Sequence, residues 1–139
     1  QSWGGMLLME YLTGRPSGVV SATIASSPAS MPGWMEETGR QRADLPPDVI
    51  AILERHEAAG TWDDPEYIAA VEVFYERHLC RVVPFPEFVT RSFAKLDRNP
   101  QVYRTMNGPT EFHVVGTLRA WEVLSRLGNI DEPILLTSG

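Results

Sequence analysis

From Trp3 to Leu12 the chain is apolar or small at almost every position, WGGMLLMEYL, a pattern that predicts a helix buried against a sheet. Gly14 follows, where glycine commonly ends a helix. The next run, GVVSATIASS, is rich in β-branched residues and is bounded by Gly18 and by Ser26-Ser27-Pro28. It predicts a buried parallel strand. The run PILLTSG, from Pro133 to Gly139, predicts another. Both ends of the chain therefore read as α/β core.

The middle has a different period. In DLPPDVIAILERHEAAG, Val49, Ile52, Leu53 and His56 fall on one helical face. In DDPEYIAAVEVFYERHLC, Asp64 is placed to cap a helix, Pro65 takes its first position, and Tyr67, Val71, Phe74, Tyr75 and Leu79 form a stripe. No strand separates the two. A third helix is predicted from Pro86 to Lys95 and a fourth around Trp121 to Leu127. The organisation expected is core at residues 1–30, a helical insertion at 31–119, and a return to core at 120–139, with a strand at 133–139.

Length and composition narrow the function. At 139 residues and 43% hydrophobic, the chain has the make-up of an ordinary globular domain. A net charge of −6 without a basic patch argues against nucleic acid or an anionic membrane as partner. The apolar runs are too short to cross a bilayer. The single cysteine, Cys80, has no internal partner, which fits a cytoplasmic setting, and its spacing from Phe74, Tyr75 and Leu79 reads as a packed thiol. No pair of His, Cys or acidic residues has a convincing metal spacing, Asp63-Asp64 reads as a helix cap, and no cofactor is expected.

The candidate chemistry lies in the first residues, QSWGG. A Gly-x-Ser-x-Gly turn between strand and helix holds its serine exposed on a strained backbone. Gln1-Ser2-Trp3-Gly4 supplies all but the first glycine, which is expected before Gln1. In such a turn Ser2 Oγ is open to a general base, and the amide of Trp3, at a helix N-terminus, faces the developing oxyanion. On these residues alone, a serine cap with glycines for close packing is an equal alternative.

Three longer stretches, QSWGGMLLMEYL, ASSPASMPGWMEE and NGPTEFHVVGTLRAWEVLSRLGNIDEPILLTSG, resemble successive signatures of the proline iminopeptidases, including the tricorn-interacting aminopeptidases. The resemblance spans nearly the whole chain. It implies a fragment of an α/β-hydrolase with an all-helical cap, in which Ser2 is the nucleophile and Trp3 N–H is half of the oxyanion hole. It also implies that Glu111, in the GPxEF signature, binds the free α-amino group of a short peptide or amino-acid amide. A solvated or cap-stabilising carboxylate is the alternative for Glu111. The triad acid and histidine are then expected beyond Gly139, and the second oxyanion donor before Gln1. His56 and His78 read as packed or rim residues of the cap, and His113 as at most a substrate contact. Ser2 in place of aspartate counts against haloalkane dehalogenase or epoxide hydrolase chemistry. An esterase or amidase without an amine requirement, and a non-catalytic binding protein, remain the other readings of the same fold.

Overall fold

The computed structural model describes residues 1–138, so Gly139, the last residue of the expected strand, lies outside them. The described chain runs α1 (Trp3–Thr13), β1 (Ala22–Ala25), α2 (Met31–Ala43), α3 (Pro47–Ala59), α4 (Pro65–His78), α5 (Glu87–Arg98), α6 (Gln101–Met106), a 3₁₀ turn (Leu124–Asn129) and β2 (Ile134–Thr137). It forms two compact units: Gln1–Trp34 with Arg119–Gly139, and Met35–Leu118.

In the first unit β1 and β2 pair in parallel, with Ala22 opposite Ile134 and Ala25 opposite Thr137. The long sequence separation is what a parallel pair requires, since its strands need a crossover rather than a hairpin. α1 packs on this pair and buries Gly5, Met6, Met9 and Leu12. Met9, Ile24 and Val123 form the centre of the core, with Leu8, Trp121 and Ile134 against them. The carboxylate of Glu10 ties the returning chain to α1. It accepts from Trp121 Nε1 at 2.7 Å and from both terminal nitrogens of Arg126 at 2.7 and 2.6 Å. The Arg126 guanidinium, with help from Trp121, holds this carboxyl below its ordinary pKa. Where the helical segment leaves and returns, Ser30 and Glu122 form an antiparallel bridge.

Several expectations need correction here. Ordered strand begins only at Ala22, and of its four residues only Ile24 is buried. Leu135 and Leu136 of β2 are exposed, as are Trp3, Leu7 and Tyr11 along one line of α1. Full burial of a parallel sheet needs layers on both faces, and two strands with one helix supply only one. Gly14 caps α1 with φ −81°, so the left-handed residue that turns the chain is Arg15, at φ 51°. Trp121 to Leu127 is not an α-helix, and the tighter 3₁₀ turn lies at Leu124–Asn129.

The second unit is all helical. α3 and α4 pack against each other around Leu45, Leu53, Tyr67, Ala70, Val71, Phe74 and Phe112. Asp64 accepts from the amide of Glu66 at 2.8 Å with Pro65 in the first turn, so the cap of α4 is the one expected. α4 ends at His78, which leaves Leu79 exposed and Cys80 half-buried beyond the helix rather than packed within it. α5 extends past Lys95 to Arg98. Arg42 donates to both carboxylate oxygens of Glu57, at 2.9 and 2.7 Å, beneath the helix pair. Among the described residues no helix is long and apolar enough to cross a membrane.

Candidate active site

Ser2 is one of three non-glycine residues, among those described, whose backbone has a positive φ. It precedes α1 with φ 50° and ψ −132°, in territory that an L-residue enters at a cost of order 1–3 kcal/mol. Its surroundings hold it there. Ser2 N–H donates to the carbonyl of Ala25, the last residue of β1, at 3.2 Å, and the Ser2 carbonyl accepts from Ser27 Oγ at 2.8 Å. Ser26, also at positive φ (44°), donates its amide to Thr137 at the end of β2, at 2.8 Å. Ser2 therefore sits at the carboxyl ends of two parallel strands, the edge where open α/β sheets place their ligands. The residue is exposed, as is Trp3 after it. Trp3 N–H belongs to the first turn of α1, whose amides have no intrahelical acceptor.

The two glycines after Trp3 are not equivalent. A Cβ on Gly5 would fall 2.1 Å from Ser27 Oγ and 2.6 Å from Ser27 Cβ, so this glycine lets α1 approach the loop after β1. A Cβ on Gly4 would meet nothing within 4 Å among the described residues. Gly5→Ala should lower stability by about 1–3 kcal/mol, read from denaturant melts, because the clash is with a short side chain next to backbone. Gly4→Ala should be neutral or mildly stabilising by the same measurement.

Glu111 belongs to the second unit. It lies in the loop after α6, and its carboxylate Oε1 accepts from Tyr103 Oη at 2.8 Å. Its amide donates to Tyr75 Oη at 3.2 Å. Burial pushes the Glu111 carboxyl above its ordinary pKa, and the Tyr103 hydrogen bond offsets this only in part. Burial likewise raises both phenols. A buried carboxylate whose hydrogen-bond donor is a neutral phenol carries a charge that a cation can pair with. The tyrosines come from α4 and α6, and sequence reasoning missed both. Tyr103 lies eight residues before Glu111, a spacing that matches no local motif.

The histidines have structural partners. His56 is buried, with Nδ1 2.6 Å from Thr61 Oγ1 and Nε2 3.2 Å from Glu66 Oε2. His78 packs at a tilt of 45° against Phe74, with ring centroids 4.8 Å apart. His113 Nδ1 lies 3.5 Å from Glu57 Oε2, and its ring meets the edge of Trp62. Asp63, read with Asp64 as a cap, instead pairs with Arg104. Ligand atoms of His56, Asp64 and Glu66 lie within 4.8 Å of one another, but Thr61, Arg55 and the α4 cap already engage them.

No protein-family model matches the chain. Among solved structures it superimposes on VinJ with a TM-score of 0.94 and 48% identity, covering 98% of this chain and 46% of that one. On proline iminopeptidase from Mycobacterium smegmatis the TM-score is 0.81 and the identity 53%, with the same coverage. Both are α/β-hydrolases, and at these identities the chain corresponds to part of the α/β-hydrolase fold. Among curated proteins, the proline iminopeptidase of Saccharolobus solfataricus is 35% identical over 138 residues, 99% of this chain and 44% of that protein. The chain is thus homologous to the proline iminopeptidases over essentially all of its length, while spanning a little under half of theirs.

Proposed function

We propose that the protein is a serine aminopeptidase of the proline iminopeptidase type, which releases an N-terminal residue, often proline, from short peptides or amino-acid amides. The observation that carries the reading is the backbone of Ser2, an exposed hydroxyl residue at φ 50° where two parallel strands end and a helix begins. Ser2 Oγ attacks the scissile carbonyl and gives up its proton to a general base. Trp3 N–H donates to the oxyanion of the tetrahedral intermediate, which collapses to an acyl-enzyme as the amine leaves, and water then releases the acid. The histidine that serves as base, the acid that orients it and the second oxyanion donor are assigned to positions outside these residues, as the order Ser, acid, His in this fold implies.

Glu111 is assigned the α-amino group of the substrate. An ammonium that pairs with a carboxylate selects substrates by their free N-terminus, which is the requirement of an aminopeptidase. The chain's single cysteine and acidic charge fit a cytoplasmic enzyme.

The test compares a prolyl arylamide with its N-acetylated form in the full-length protein. Blocking the amine should lower kcat/KM by about 10²-fold or more, the scale expected when a buried charge loses its partner. Equal turnover of both would replace the aminopeptidase by an esterase or amidase of the same fold. No turnover of either, nor of an activated ester, would leave a binding protein.

A further inference from the structure

Asn107 closes α6 and begins the loop that carries Glu111. It is 8% exposed, so every polar atom it brings inside needs a partner. Its amide donates to the Tyr103 carbonyl at 2.8 Å, and its carbonyl accepts from Val115 and Gly116 at 3.0 and 2.9 Å. The side-chain Nδ2 donates to the Thr110 carbonyl at 2.8 Å and to Tyr103 Oη at 3.2 Å. Because a backbone carbonyl can only accept, the Thr110 contact fixes which end of the amide is nitrogen. That nitrogen then also faces the phenol.

The consequence falls on the phenol's single proton. Tyr103 Oη has one hydrogen to donate and receives one from Asn107, so its own points at Glu111 Oε1, 2.8 Å away. The loop around this relay has little slack. Gly108 sits at φ 137°, and a Cβ there would fall 2.4 Å from the His113 carbonyl. A Cβ on Gly116 would fall 2.3 Å from the Met106 carbonyl. Turn and relay are therefore built together.

We propose that Asn107 is a positioning residue for the Glu111 carboxylate, acting through the Tyr103 hydroxyl and never touching substrate. The inference rests on the reading that Glu111 receives the substrate amine. Among the described residues, the phenols of Tyr103 from α6 and Tyr75 from α4 are titratable groups packed against Glu111. The carboxylate thus accepts from the neutral phenol of Tyr103, and a change in that donor's orientation alters both its direction and its charge.

The test uses the full-length protein and a prolyl arylamide. Asn107→Leu, which keeps the branched outline but not the hydrogen-bonding atoms, should raise KM about tenfold, the value of one buried hydrogen bond, with kcat changed less than about twofold. Tyr103→Phe should do the same, and the double variant should be no worse than Tyr103→Phe alone, since both remove one relay. Asn107→Asp, close to isosteric, should shift the acid limb of kcat/KM to higher pH, because a second carboxylate competes for the Tyr103 proton and repels the charge on Glu111. Multiplying effects in the double variant, or a loss of kcat without a rise in KM, would overturn the proposal. So would an unshifted acid limb in Asn107→Asp, which decides the matter if Asn107→Leu does not fold. A large KM rise in Glu111→Gln alongside unaffected Asn107 variants would sink this inference alone. An unchanged KM in Glu111→Gln would sink the amine-binding reading and this inference with it.

Discussion

Ser2→Ala in the full-length protein should abolish hydrolysis of a prolyl arylamide, lowering kcat by about 10⁴-fold or more while the protein stays folded. The size of the effect follows from the role, since no acyl-enzyme forms without the hydroxyl and the remaining hydrogen-bond donors retain only residual activity. Ser2→Gly should be as inactive but more stable than Ser2→Ala. Both lose the Oγ, yet only glycine occupies φ 50° and ψ −132° without strain, a difference of about 1 kcal/mol or more in thermal or denaturant melts. The pair separates two accounts of this residue. A serine that merely caps α1 would lose a side-chain hydrogen bond in either variant and leave turnover nearly intact; Ser2 makes no such side-chain bond. Turnover within tenfold of the parent in Ser2→Ala would remove Ser2 from the mechanism.

How much of this was legible in the sequence depended on how local the cause was. The start of α4 was readable because Asp64, Pro65 and the amide of Glu66 are neighbours in the chain, and their chemistry needs nothing else. α2 is hidden in the sequence, although Met31, Trp34, Met35 and Thr38 share one face of it. Pro32 and Gly33 obscure its first turn, and a buried threonine completes a stripe that an apolar pattern would have made plain. α6 was too short to show a period. Around Trp121, Leu124 and Leu127 the spacing of three suits a 3₁₀ turn better than an α-helix.

The candidate site divides in the same way. The Ser-Trp-Gly-Gly string announced a tight turn, and the geometry of Ser2 is of the kind such a turn requires. The need for Ser27 opposite Gly5 was invisible, because it arises from packing between α1 and the loop after β1. Glu111 stood out only by family resemblance. Its partners Tyr75 and Tyr103 come from two helices, and no linear spacing announces them.

Glu111→Gln should raise KM for a prolyl arylamide by about 10²-fold and leave an N-blocked ester within about twofold, because the amide keeps the shape and loses the charge that pairs with an ammonium. The same change should stabilise the protein at neutral pH. Burial raises the folded-state pKa of this carboxyl above its ordinary value, so folding favours the protonated form. Its contribution to stability is therefore fully present below the ordinary carboxylate pKa and is lost as pH rises through the folded value. At neutral pH the ionised group is a cost that glutamine does not carry. Melting curves of parent and Glu111→Gln should differ most at neutral pH, with the variant higher, and should converge on acidification. A carboxylate kept only to stabilise its loop would behave in the opposite way, with the glutamine variant less stable and the two substrates equally affected. Stability gained together with amine recognition lost would mark Glu111 as a charge that the fold tolerates for the sake of its ligand.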